Sequence, residues 1–169
     1  MSAIKQKNTV QAVAQTELGA LADLLGFHIR MAQDAMYRHF NAALESVNLR
    51  QREFAVLELI RVNAGISQVE LAAALHLDRP PMMIVIDRLE NRGLVARMRS
   101  KRDRRRQDLH LTPAGRELLV EARGLVKEHD RVFTSLFAKS EAAILIDQLR
   151  EISRHSHQLA PIASLAEEE

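Results

Sequence analysis

The chain has no cysteine and no tryptophan, and its only aromatic residues are five Phe and one Tyr. Without cysteine, disulfides, thiolate metal sites and a cysteine redox switch are excluded. With so few rings, aliphatic side chains and alanine must fill the core, which favours helices. The four prolines and six glycines sit mostly at joints between patterned segments. No apolar run approaches the roughly 18 residues that a membrane span needs. The first residues, MSAIKQKNTVQAVAQT, lack the continuous apolar stretch of a signal peptide. A soluble, cytoplasmic protein of one domain with extensions is expected from the 169-residue length.

What the chain does have is concentrated positive charge. The formal net charge is only +2, yet the ten residues Arg97–Arg106 hold seven Lys/Arg against one Asp, a local net of +6. Alternating segments flank this run. Val95-Ala96-Arg97-Met98-Arg99 and Gln107-Asp108-Leu109-His110-Leu111 both read as strands. Joined by a basic tip, they form a hairpin suited to lie along a polyanion.

Upstream, apolar residues recur at Leu18, Leu21, Leu25, Ile29, Ala32, Met36, Phe40, Ala43 and Val47, predicting one helix of about eight turns. Such a helix outgrows the core of a small domain, so part of its face should meet another subunit. Gln51–Asn63 reads as a helix with Phe54, Leu57 and Ile60 inward and Gly65 as its stop. Ser67-Gln68-Val69-Glu70 is a capping box that starts a short helix to Leu75. His76-Leu77 is the turn. Asp78 caps a second helix to about Arg92, with Ile84, Val85, Leu89 and Leu94 as its candidate buried side. Two short helices around a tight turn, followed by a basic hairpin, read as a winged helix-turn-helix in a mainly α fold with one small β-hairpin. Thr112-Pro113 opens a further helix with the stripe Leu118, Ala122, Leu125, His129, Phe133 and Leu136. Ser140 is expected to cap a last one carrying Leu145, Leu149 and Ile152. The tail Glu167-Glu168-Glu169 should be solvated.

Several of these motifs occur together in one known family. Ile66-Ser67-Gln68-Val69-Glu70-Leu71-Ala72, Leu77-Asp78-Arg79, Asp87-Arg88-Leu89-Glu90-Asn91-Arg92-Gly93-Leu94-Val95, Asp103-Arg104-Arg105 and Leu111-Thr112-Pro113-Ala114-Gly115 resemble the MarR family of bacterial transcriptional regulators. The resemblance is close over residues 49–120. It implies a two-fold homodimer that binds a palindromic operator in double-stranded DNA. It also implies repression of a nearby operon, released by a small effector, an aromatic or phenolic acid or its coenzyme-A thioester. On this reading 1–16 is a polar arm and 17–48 an N-terminal dimerisation helix. Residues 49–112 form the winged helix-turn-helix, and 113–169 the C-terminal dimerisation helices.

The resemblance also distributes roles. The second motif helix would enter the major groove with Arg79, Pro80, Pro81, Met82, Met83 and Arg88 in the DNA-contact set. The family's usual hydroxyl-bearing residues after Arg79 are here replaced by Pro80-Pro81-Met82-Met83. Pro and Met can touch thymine methyls but form no bidentate pairs with bases. Arg79 is then the candidate guanine contact, while core packing is the alternative for each methionine. Pro81 disfavours helical angles at Pro80, so the helix is expected to start a residue late. In the wing, Lys101, Arg102, Arg104 and Arg105 would contact DNA, Arg105 in a minor groove, with Asp103 shaping the loop. Ser67 and Gln68 would approach phosphate at a helix N-terminus. An effector pocket would draw on His28, Arg30, Met31, Tyr37, His39 and Phe54.

No cofactor is expected. The histidines, including His129 and the pair His155 and His157, form no compact metal-ligand cluster. A zinc-responsive regulator and an architectural DNA-binding protein are the alternatives. None of Ser67, Ser100, Ser135 or Ser140 lies in a nucleophile motif, so no enzyme is expected.

Overall fold

The structure, a computed structural model, describes residues 16–100 and 106–155. The chain divides into two compact units, with the boundary between His39 and Phe40.

The first unit holds a 3-10 turn, Gly19–Asp23, and most of helix α1, Leu25–Ala43. The single helix expected from Leu18 to Val47 is thus interrupted. Leu24 is extended, with ψ of 112°, and separates the two pieces. Leu18, Leu21, Leu24 and Leu25 are all exposed, so no burial in this chain rewards a continuous helix there. The other end is closed by a turn. Asn48 is left-handed, and the Leu49 amide donates to the Leu44 carbonyl at 3.4 Å, with both leucines buried. This hydrogen bond and its apolar clasp stop the helix short of Val47.

The second unit follows the expected order. It contains α2 (Gln51–Val62), α3 (Gln68–Ala74), α4 (Arg79–Asn91), β1 (Val95–Arg99), β2 (Gln107–Leu111), α5 (Pro113–Thr134) and α6 (Lys139–His155). The two strands are antiparallel, in register from Val95↔Leu111 to Arg99↔Gln107. Ile66 adds a short third rung against Leu109 on the outer side of β2. A single core gathers Phe40, Leu44, Val56, Leu57, Ile60, Leu71, Met82, Ile86, Leu89, Leu109 and Leu119. The hairpin therefore packs on the same core as the helices.

The joint between β2 and α5 explains the motif Leu111–Gly115. Thr112 accepts the Gly115 amide at 3.0 Å as N-cap, and its hydroxyl donates to the Gly93 carbonyl at 2.6 Å. A Cβ on Gly115 would stand 2.0 Å from the Leu94 carbonyl oxygen. Glycine is required there because the start of α5 touches the backbone at Leu94, just before β1. Farther along α5, buried His129 lies edge-on to Phe40, with ring centroids 5.1 Å apart.

Two expectations about helix phase and capping are corrected. Ile84, placed on the buried side of α4, is exposed, and Met82 and Ile86 are buried instead. The cause is register: Met82, Ile86 and Leu89 form the i, i+4, i+7 stripe that meets α2. Helix α6 starts at Lys139, so Ser140 lies inside it. Its first turn is closed by the Glu141 carboxylate, which accepts the Ala138 amide at 2.8 Å.

A candidate nucleic-acid interface

The start of α3 is a closed capping box. Ser67 accepts the Glu70 amide at 3.3 Å, while the Glu70 carboxylate accepts both the Ser67 amide and its hydroxyl at 2.8 Å. The Ser67 hydroxyl proton is therefore committed to Glu70, and the residue serves as a cap. Those bonds, the Ser67 amide first and then its hydroxyl, hold the Glu70 carboxyl below the ordinary glutamate pKa, with Arg106 adding to the effect. Helix α3 ends in a turn through left-handed His76 (φ 50°), closed by the Leu77 amide donating to Ala72 at 2.9 Å. This turn brings the two helix starts together: the Gln68 side-chain amide reaches the Arg79 carbonyl at 3.5 Å.

Helix α4 begins at Arg79 despite the two prolines. Pro80 and Pro81 occupy its second and third positions, whose amides have no partner within a helix. The first intrahelical bond is the Met82 amide to the Asp78 carbonyl at 3.3 Å. The expected one-residue delay is thus absent, because the prolines fall where no donor is needed. They also remove the amides that the Asp78 side chain would cap, and Asp78 makes no such bond. The start of this helix consequently offers few backbone donors to a phosphate.

The expected DNA-contact residues of α4 separate by helix phase. Met82 is 0% exposed and belongs to the core, so it is removed from the contact set. Pro80 and Met83 are exposed, and Pro81 is half-buried. Ile84, absent from the contact set expected from sequence, is 67% exposed, more than Met83 at 49%. The signal that finds it is its i+4 spacing from Pro80. Arg79 is exposed and makes no ion pair among the described residues. Arg88 lies 3.1 Å from the Glu53 carboxylate, which is almost wholly buried on α2. Glu53 also accepts the Arg50 amide at 2.8 Å, and Arg92 stands 3.9 Å away while donating to the Asn48 carbonyl at 2.7 Å. Arg88 and Arg92 thus fasten α4 to α2. For Arg88, whose side chain stays 39% exposed, this structural task comes in addition to the DNA contact expected from sequence.

The hairpin base is fastened as well. Arg97 pairs with Asp87 and Glu90 of α4. Arg106 pairs with Glu70 at 2.7 Å and Asp108 at 3.1 Å, and donates to the Gly65 carbonyl at 3.0 Å. Two of the seven cations in Arg97–Arg106 are therefore neutralised internally, mainly by carboxylates distant in sequence. Arg99 remains exposed at the end of β1, where the Ser100 amide donates to the Arg106 carbonyl at 3.0 Å. Lys101, Arg102, Asp103, Arg104 and Arg105 lie outside the described residues.

The candidate effector residues fall in both units. In the first, His28 contacts the Ala22 carbonyl at 2.6 Å, Arg30 lies 3.9 Å from Asp34, and Met31, Tyr37 and His39 are exposed on α1. At about 100° per residue, His28, Met31 and His39 share one side of α1, and Arg30 and Tyr37 the opposite side. A single pocket on one copy of this helix cannot collect all five. Phe54, in the second unit, is half-buried with its ring 6.0 Å from that of Phe40. An open groove of about 410 Å³ lies where α5 passes into α6, lined by Arg131, Phe137, Lys139 and Ile146 among others. Among the described residues no group of three or more His, Asp or Glu is placed to hold a metal ion, and no helix is long and apolar enough to cross a membrane.

A helix-turn-helix carrying a fastened basic hairpin defines a winged-helix regulator, and comparison with known proteins agrees. The MarR family model matches residues 49–106. The Thauera aromatica protein assigned as transcriptional regulator of the hcr operon is 33% identical over 147 residues, covering 86% of this chain and 89% of its own. The repressor CouR bound to a 23-mer DNA duplex superimposes with a TM-score of 0.79 at 35% identity, over 82% of this chain and 99% of that one. CouR bound to p-coumaroyl-CoA gives 0.77 at 34% identity, over 83% and 99%. The chain belongs to the MarR family of transcriptional regulators.

Proposed function

We propose that this protein is a homodimeric repressor, working in the cytoplasm, that binds a palindromic operator and is released by the coenzyme-A thioester of an aromatic acid. The observation that carries the DNA reading is the pairing of two helix starts, Gln68 beside Arg79, with a basic hairpin fastened to both helices through Arg97 and Arg106. Helix α4 would lie in a major groove and the wing, with Lys101, Arg102, Arg104 and Arg105 at its tip, along the adjacent backbone and minor groove. The dimer reading rests on α6, which carries Ile144, Leu145, Ile146, Leu149 and Ile152 and buries none of its residues in its own chain. The effector reading rests on the CouR complex with p-coumaroyl-CoA.

Two α4 helices must reach successive major grooves about 34 Å apart. An effector that alters that separation weakens DNA binding, and DNA weakens effector binding by the same factor. The role is regulatory, with no reaction catalysed.

The test is selection of genomic fragments by purified protein at a stated salt concentration, repeated with aromatic acids and their coenzyme-A thioesters. A palindrome released by one thioester is the expected result. A palindrome that no thioester releases overturns the effector assignment. Salt-sensitive binding with no shared sequence overturns the operator reading and favours an architectural role. Arg105→Ala is expected to weaken all sequences alike and to lower the salt slope by about one; an unchanged slope removes Arg105 from the interface.

A further inference from the structure

From Pro80 to Ile86 helix α4 carries no side chain that forms a conventional hydrogen bond. Of these seven residues, Met82 and Ile86 are buried in the core, while Pro80, Met83 and Ile84 are exposed on one face at i, i+3 and i+4. The next polar group on the helix, Asp87, is paired with Arg97 of the wing. A cation stands at one end of the exposed patch: Arg79, exposed at the helix start next to Pro80. An exposed apolar strip that starts beside a cation suits a major groove, where the base edges form the floor and phosphates line both rims.

We propose that α4 reads its operator through thymine 5-methyl groups, with Pro80, Met83 and Ile84 as the reading surface. This rests on the operator reading above and specifies what that operator must contain. In the major groove each base pair presents donors and acceptors, and the T·A pair adds one apolar feature, the methyl group. An apolar side chain gains by covering that methyl. Over a guanine or cytosine edge the same side chain excludes water from polar atoms and returns no hydrogen bond, which is unfavourable. Specificity therefore comes from attraction to T·A steps and exclusion of G·C steps at the same positions. The prolines reinforce this by leaving the helix start almost without backbone donors for a competing polar contact. Arg79, just over one turn before Met83, is the polar reader that remains, so the half-site combines a guanine with neighbouring thymines.

The experiment replaces thymines of the selected operator one at a time by deoxyuridine, which removes the methyl and keeps every hydrogen-bonding atom. Binding is measured for the wild-type protein and for Ile84→Ala and Met83→Ala. Both positions are largely exposed, so the variants should fold, which a thermal unfolding curve checks. At one or more thymines in each half-site, uracil is expected to weaken wild-type binding about threefold to fivefold, the effect of losing one buried methyl-sized group. In the variant that lost the facing side chain, the uracil penalty should shrink toward none, since two groups in contact are energetically coupled. A specific operator whose affinity is indifferent to uracil at every thymine overturns this inference and leaves the regulator standing. A uracil penalty that is undiminished in both variants, and in Pro80→Ala measured beside them, places methyl recognition elsewhere and overturns it too. If no shared sequence is selected at all, the operator reading fails, and methyl readout with it.

Discussion

Helices α4 and α6 are both amphipathic, and the chain holds them in opposite ways. Helix α4 buries Met82, Ile86 and Leu89 and is fastened at its sides by Glu53 through Arg88 and Arg92, and by Arg97 through Asp87 and Glu90. Helix α6 buries nothing. Its ion pairs, Arg150 with Asp147 and Arg154 with Glu151, lie within the helix itself. The first helix has its position decided by its own chain. The second presents an uncovered apolar face, which is what a helix made to pack on another copy should do. A helix that reads bases must arrive at the groove already oriented, because every side chain left to order on binding costs affinity. A helix that joins two subunits needs only to be complementary to its partner.

The strongest test of this contrast attacks the self-contained region. Gly115→Ala drives a methyl into the Leu94 carbonyl, a backbone atom that cannot move aside alone. We expect a loss of about 3 kcal/mol, the upper range for forced overpacking. Urea unfolding measures it, and an unchanged midpoint would contradict the close approach. The next attacks the open region. Leu149→Asp is expected to leave the winged-helix fold intact but to yield monomers. Operator affinity should fall about 100-fold as the second half-site contact becomes intermolecular. Sedimentation together with DNA binding checks this, and a dimer that persists removes α6 from the interface.

A smaller effect is expected where α4 is fastened. Glu53→Ala leaves Arg88, Arg92 and the Arg50 amide without their carboxylate. Because both arginines remain partly solvated, the expected loss is about 2 kcal/mol, less than for a fully buried pair. Operator affinity should fall together with stability, since the orientation of α4 depends on this tie; a variant destabilised yet binding normally would separate the two. The smallest effect is a pH dependence. Folding depresses the Glu70 pKa, so its contribution is complete above the unfolded glutamate value and is lost as pH falls through the lower folded value. Glu70→Gln should therefore flatten the stability curve below about pH 4.3, the ordinary glutamate value. A curve identical to that of the wild type would show that the link from the α3 cap to Arg106 adds no stability.

Much of this arrangement is legible in the sequence. The strands Val95–Arg99 and Gln107–Leu111, the capping box at Ser67 and the Thr112-Pro113 helix start all stand where the residue pattern places them. Each is a local device, in which the groups that satisfy one another lie within a few residues. The long N-terminal helix departs from its pattern because periodicity records which residues share a face and says nothing about whether anything covers that face. The uncovered leucines 18–25 break from the helix at Leu24.

The sequence by itself therefore determined the order of elements, the caps at Ser67 and Thr112, the two strands of the hairpin and the family. It could not determine which of two neighbouring apolar residues turns inward. The core took Met82 and left Ile84 to solvent because α4 packs on α2 in one phase, and that phase is set by residues tens of positions away. Nor could it determine how much of the positive charge is free. Arg97 and Arg106 look like part of one basic run, yet Asp87, Glu90 and Glu70 claim them across turns of the chain. Charge is counted along a sequence, but Coulomb energy depends on distance in space, and only the tertiary structure supplies that distance.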